Sequence, residues 1–147
     1  MTPIDFTIDI APHGKGRPRA ASIGGKARMF TPAKTRNWEA SFSLLARKHR
    51  PEELMTGPLR VSITAFFPRP QKMSKRSKRT GELLGGFSEG PIPMASRPDA
   101  DNVAKAVLDA MASWYRDDAQ VFYLVVTKFY HAVDARPRVR VTIEEVE

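Results

Sequence analysis

Polar and apolar residues alternate from Asp5 to Ile10, with Phe6, Ile8 and Ile10 on one side, the pattern of a half-buried strand. The same period of two returns at Leu59, Val61, Ile63 and Ala65, interleaved with Arg60, Ser62 and Thr64, and Phe66-Phe67-Pro68 closes that segment. Val139, Val141 and Ile143 make a last alternating strand that runs to Val146. Between these strands the period changes. Val103, Ala106, Val107, Ala110, Met111 and Trp114 recur at helical spacing, predicting an amphipathic helix from about Asn102 to Tyr115. An earlier helix is expected to enter through Thr31 as N-cap and Pro32 as first helical residue. It would run through Trp38, Phe42 and Leu45 to about His49 and end before Pro51.

Gln120 to Tyr130 is rich in β-branched and aromatic residues and apolar enough for a central strand. The short turn from Val133 to Arg136 predicts that this strand and the last one form an antiparallel hairpin. Ala27 to Phe30 reads as a short strand or extended arm after a basic loop, His13 to Arg19. From Pro68 to Pro98 neither period survives, which leaves a long loop, partly mobile by expectation. These elements describe an α+β fold, a small mixed β-sheet with two main helices packed on it, as one domain over residues 1–147. Trp38, Phe42, Trp114, Phe122 and Tyr123 fall on apolar periodicities and are assigned to the core.

Charge changes this picture. The chain carries 24 Lys plus Arg against 16 Asp plus Glu, a net charge of +8, which points to a polyanionic partner. There is no cysteine, so disulfides, thiolate nucleophiles and cysteine-held zinc are excluded. No apolar run approaches the roughly 20 residues of a membrane span, and the N-terminus has no secretory pattern, so a cytoplasmic, nucleoid-associated protein is expected. His13, His49 and His131 share no metal-ligand spacing.

Against the basic background stand Asp99 and Asp101, where the second helix begins, and Asp117 and Asp118, beyond its end. Clustered carboxylates beside a polyanion need a counter-charge, and Mg²⁺ is the usual one, with Mn²⁺ a substitute. Each aspartate also has an ordinary structural explanation: a helix cap for the first pair, turn chemistry for the second. A helix of that length spans roughly 20 Å, so its two ends share a metal only if the chain after Tyr115 folds back along it.

The run Arg97-Pro98-Asp99-Ala100-Asp101-Asn102, with Lys105 and Asp109 beyond it, then Asp117-Asp118-Ala119-Gln120-Val121 and Lys128, resembles the RusA-like Holliday junction resolvases. Gly16-Arg17-Pro18-Arg19 and Phe30-Thr31-Pro32 add to the likeness. The resemblance implies a Mg²⁺-dependent endodeoxyribonuclease of phage and prophage type. It would act in DNA recombination and repair as a homodimer, placing paired nicks in four-way junctions. It assigns catalytic roles to Asp99, Asp101, Lys105 and Asp118, and metal binding to Asp99, Asp101 and Asp118 with Asp117 in support. The basic glycine-rich stretch from Pro70 to Gly90 is longer than in compact relatives, so the family assigns it no role.

Phosphodiester hydrolysis needs an activated water and neutralised phosphate charge, which a carboxylate-held divalent cation supplies. Lys105, one turn after Asp101, is placed to contact the scissile phosphate, or else to pair with Asp101 or Asp109. Lys15, Arg17, Arg19, Lys72, Lys75, Arg76, Lys78 and Arg79 are the candidates for gripping DNA, with strong salt dependence. The competing reading is a non-enzymatic basic DNA-binding protein whose aspartates are only caps. A nuclease acting on other branched DNA, such as flaps, is a third.

Overall fold

The computed structural model describes residues 2–16 and 19–147. Strand β1 (Ile4–Ile8) buries Phe6 and Ile8, as its alternation requires. Strands β2 (Arg19–Ile23) and β3 (Lys26–Phe30) pair as a separate hairpin. Gly24 and Gly25 close it at φ +60° and +77°, the left-handed region that glycine enters without a steric penalty. Helix α1 (Ala33–Ala46) starts one residue later than expected, with Pro32 as N-cap, and continues as a 3₁₀ turn to His49. Phe42 is fully buried on it, whereas Leu45 faces solvent.

Strand β4 (Leu59–Phe67) buries every second residue, Leu59, Val61, Ile63, Ala65 and Phe67. After the short β5 (Ile92–Pro93) come helix α2 (Ala100–Ala110), a 3₁₀ turn Ala112–Trp114, strand β6 (Val121–Tyr130) and strand β7 (Arg138–Glu145). The sheet order is β1-β7-β4-β6-β5. β6 is parallel to β4, while β7 is antiparallel to both β4 and β1. The expected β6–β7 hairpin is therefore absent, because β4 inserts between them. The alternating patterns of β4 and β7 give each a buried face, and pairing those two strands makes that face continuous. Both helices pack on it, around Phe6, Phe42, Leu59, Val107, Met111, Trp114 and Val141.

Two expectations about packing fail. Phe122 and Tyr123 are not core residues; with Leu124 and Val125 they are 57%, 47%, 43% and 39% exposed. β6 lies second from the sheet edge, but β5 pairs only with Phe129 and Tyr130. The Met94 N–H also donates to the Lys128 carbonyl, and from Val121 to Thr127 the outer edge of β6 is bare among the described residues. The loop from Pro68 to Pro98, expected to be partly mobile, is instead tied down. Two 3₁₀ turns, a bridge between Arg76 and Leu83, and the Arg69 guanidinium organise it. No helix among the described residues is long and apolar enough to cross a membrane.

Candidate active site

The apolar stripe of α2 sets the direction of its polar face. Val103, Ala104, Ala106, Val107, Leu108 and Ala110 are buried, which leaves Asp101, Lys105 and Asp109 along the outer side. α2 lies alongside β6 and runs against it. At the N-terminal end, Lys128 of β6 donates to the carbonyls of Ser96 (2.8 Å) and Pro98 (2.7 Å), fixing the approach to Asp99. Lower on the helix, Lys105 reaches Asp118, which opens the turn into β6. Gly14 packs so closely on the Pro98 ring that any Cβ there would clash, and the Lys15 N–H donates to the Asn102 carbonyl at 3.0 Å. Arg97, Pro98, Asp99 and Asn102 line the resulting open cleft of about 570 Å³.

The four aspartates separate by what their carboxylates do. Asp99 occupies the N-cap position of α2, yet its side chain makes no capping hydrogen bond. Asp99 and Asp101 are both exposed, and neither carboxylate enters a hydrogen bond or ion pair among the described residues. The capping explanation therefore fails where it was most natural. It holds at Asp117, whose Oδ1 accepts from the Ala119 N–H at 2.7 Å, while Gln120 Oε1 accepts from the Asp117 N–H at 2.8 Å. Asp117, expected as a supporting ligand, is thus engaged in a capping box. Asp117→Ala should cost about 1 kcal/mol of stability, read as a lower thermal midpoint.

Asp118 is held by neighbours. Lys105 Nζ donates to its Oδ2 at 2.5 Å and Tyr115 Oη to its Oδ1 at 3.0 Å. Burial pushes its pKa up, but the hydrogen bonds from Lys105 and Tyr115 and the nearby lysine charges outweigh this and hold it below the usual carboxylate range. The hydrogen bond to Asp118 raises the pKa of Lys105 despite partial burial. Burial, then the charge of Asp118, pushes the Tyr115 phenol well above its ordinary value. Lys105 is thus a fixed cation and Tyr115 a fixed donor, and neither serves as a base at neutral pH. Lys105 also pairs with Asp109 at 3.1 Å. Tyr115 Oη, which also contacts the Leu108 carbonyl at 2.8 Å, pins the chain back along α2, so the fold-back that the helix length demanded takes place.

The fold-back is partial. Among the described residues no three acidic or histidine side chains converge closely enough to hold one ion. Asp99 and Asp101 offer free hard-oxygen donors that suit Mg²⁺ or Mn²⁺, while Asp118 stands apart beside Lys105.

The cationic candidates also divide. Lys15, expected to hold phosphate, instead forms an ion pair with Asp109 and lies 3.7 Å from Glu39, whose pKa burial raises. The loop fold turns it inward because Gly14 brings this segment onto α2. Arg17 lies outside the described residues, as does the side chain of Arg19. Lys72, Lys75, Lys78 and Arg79 are exposed and enter no ion pair among the described residues, whereas Arg76 pairs with Glu89 at 2.7 Å. The residue that sequence reasoning missed is Arg69, 8% exposed, whose guanidinium donates to carbonyls that bracket the basic loop. Its one sequence signal is the Pro68-Arg69-Pro70 frame, which fixes the backbone on both sides.

Comparison with known proteins places these features in context. Residues 9–144 match the family model described as Endodeoxyribonuclease RusA. The chain is 37% identical over 147 residues to the uncharacterized protein YqaN of Bacillus subtilis (strain 168), covering 99% of each. It is 27% identical over 146 residues to the crossover junction endodeoxyribonuclease rusA of Lactococcus phage r1t, covering 97% of this chain and 96% of the relative.

Proposed function

The chain belongs to the RusA endodeoxyribonuclease family, hydrolases that act on DNA at crossover junctions, and on that premise we propose that it resolves four-way junctions using Mg²⁺ held by Asp99 and Asp101. The observation that carries this reading is the pair of carboxylates at the start of α2 with no structural partner among the described residues. A structural Asp at an N-cap accepts backbone N–H bonds, and this one does not. The same observation disfavours the reading of a basic DNA-binding protein with capping aspartates.

The bound cation would neutralise the phosphate and lower the pKa of the attacking water. The chain's own groups do the rest. Lys105, held protonated by Asp118 and Asp109, stands one turn from Asp101 as a fixed positive charge for the oxygens that gain charge in the transition state. Lys128 holds the Ser96 and Pro98 carbonyls, so Asp99 is presented from a fixed backbone. Asp118 keeps Lys105 aimed. Two symmetric nicks need two such sites, which a homodimer with a two-fold axis provides. The setting is recombination and repair of chromosomal or phage DNA in the cytoplasm.

Cleavage of a synthetic four-way junction, compared in Mg²⁺ and in excess chelator, tests the proposal. Paired nicks that appear only with the cation are the expected result. Cleavage indifferent to chelator, or none in Mg²⁺ or Mn²⁺, would overturn it. The exposed cations of the 72–79 loop supply affinity. Replacing Lys72, Lys75, Lys78 and Arg79 together by alanine should flatten the slope of log affinity against log salt by about 3 to 4, at roughly 0.9 per lost phosphate contact. A titration series at several salt concentrations reads this directly.

A further inference from the structure

The Lys15 side chain does not stand where a DNA anchor would. On one side of it Gly14 packs so closely on the Pro98 ring that an added Cβ would meet it at 2.3 Å. On the other, the Gly16 N–H donates to Thr35 Oγ1 at 3.2 Å, and the Lys15 N–H itself donates to the Asn102 carbonyl at 3.0 Å. Thr35 belongs to α1 and Asn102 to α2, so this short segment is strapped across both helices. The Lys15 ammonium is turned toward Asp109 Oδ2 on α2, while Glu39 of α1 lies 3.7 Å away, beyond hydrogen-bond distance. Only 21% of the Lys15 side chain is exposed, against 50% for Lys105. Asp109 is therefore the principal partner of Lys15.

Asp109 is shared. Its Oδ2 faces Lys15 and its Oδ1 faces Lys105 at 3.1 Å, so one carboxylate bridges two ammonium groups. Asp118 has the matching arrangement, with Oδ2 toward Lys105 at 2.5 Å and Oδ1 toward Tyr115 Oη at 3.0 Å. Lys105 thus sits between two carboxylates, each with its far oxygen held by a further donor. An isolated exposed ion pair holds a lysine only weakly. A mostly covered carboxylate, anchored from its other side, holds it in one place. Charge then decides what Lys15 contributes. Lys105 with Asp109 and Asp118 carries a net negative charge, which would repel a phosphate; Lys15 cancels it.

We propose that Lys15 and Asp109 are positioning residues for Lys105: Lys15 occupies the far oxygen of Asp109, and Lys105 is thereby kept both fixed and positive toward the scissile phosphate. This rests on the reading of the protein as a phosphodiester-cutting enzyme and deepens it. Lys15 acts on the rate of the chemical step, through Asp109, and not on the grip of DNA.

Lys15→Gln separates the two roles. Single-turnover cleavage of a four-way junction at saturating enzyme should fall about tenfold, while affinity for uncut junction in chelator and its salt slope stay as in wild type. A phosphate anchor gives the opposite split, a slope flatter by about 0.9 with the saturated rate retained, and that result would overturn the inference. Lys15→Arg keeps the charge and should recover most of the rate. The double variant Lys15→Gln with Asp109→Asn removes one charge of each sign, so it should cut faster than Lys15→Gln alone. A double variant no faster than the single one would sink the proposal. Lys15→Gln also removes the cation facing Glu39, so circular dichroism accompanies each rate to show that the fold is kept.

One measurement needs neither a variant nor cleavage. In wild-type protein with isotope-labelled lysine nitrogens, uncut junction in chelator should shift the Lys105 ammonium resonance and leave that of Lys15 in place. A Lys15 resonance that moves together with those of Lys72 and Lys75 would put it on DNA and overturn the proposal. The two readings fail separately. If wild type does not cut in Mg²⁺, yet Lys15→Gln moves the Lys105 resonance, the ion-pair network stands and the nuclease reading falls. Cleavage by wild type with an anchor's split in Lys15→Gln does the reverse.

Discussion

Asp99→Asn and Asp101→Asn are each expected to lower the rate of junction cleavage by about a thousandfold or more, with binding of uncut junction unchanged or slightly tighter. A thousandfold loss is about 4 kcal/mol of transition-state stabilisation, the size expected if these carboxylates hold a divalent cation at the phosphate, as proposed. Asparagine keeps the shape and an oxygen acceptor but removes the charge. It is also as good an N-cap as aspartate, so any lost activity at position 99 cannot be blamed on helix α2 starting badly. Both side chains are exposed and without partners among the described residues, so the stability change should stay within about 0.5 kcal/mol. Removing a negative charge from the path of a polyanion cannot weaken attraction to it, which is why binding is expected to hold. Single-turnover cleavage, paired with gel-shift titration in chelator, separates the two effects. If both variants cut as fast as wild type, these carboxylates do not carry the chemistry.

The local pattern made most of the elements legible, because period two and period 3.6 report directly which face is buried. β4, α2 and β7 appear within a few residues of where alternation and the apolar stripe put them. The pairing of strands was less legible. A short β6–β7 connection suggests a hairpin, but neither strand's own pattern records that β4 intervenes, since its partner lies more than fifty residues away. Residues 122–125 show a related limit. An apolar run states that surface must be buried, not whether the same chain buries it. At the site, motif spacing identified the aspartates, but their roles turn on side-chain direction. Asp99 as N-cap without a capping bond, Asp117 as an actual cap, and Lys15 turned toward Asp109 rather than outward are all invisible in the linear chain.

Arg69→Ala should open the basic loop. The guanidinium donates through Nε and Nη2 to the Met73 carbonyl at 3.1 and 2.7 Å, and through Nη2 to the Ser88 carbonyl at 2.5 Å. Nη1 reaches the carbonyls of Gly90 at 3.0 Å and His131 at 3.4 Å. One buried cation thus joins both ends of the loop to the end of β6, and no carboxylate compensates it among its described partners. Hydrogen bonds to a charged donor contribute about 1.5–3 kcal/mol each, but these share one side chain and are not additive. Truncation strands several carbonyls at once, and about 3 kcal/mol of local stability is the expected loss. The amides of Ser77 and Leu84, which close the loop's inner turn onto Glu82 and Lys75, should then exchange roughly a hundredfold faster. Lysine supplies the charge but not the planar fork, so Arg69→Lys should recover only part of that protection. A loop that no longer presents Lys72, Lys75, Lys78 and Arg79 together binds junctions more weakly, while cleavage at saturating enzyme is retained because Asp99 and Asp101 are untouched. Unchanged exchange at Ser77 and Leu84 in the alanine variant would show that the loop holds its shape without Arg69.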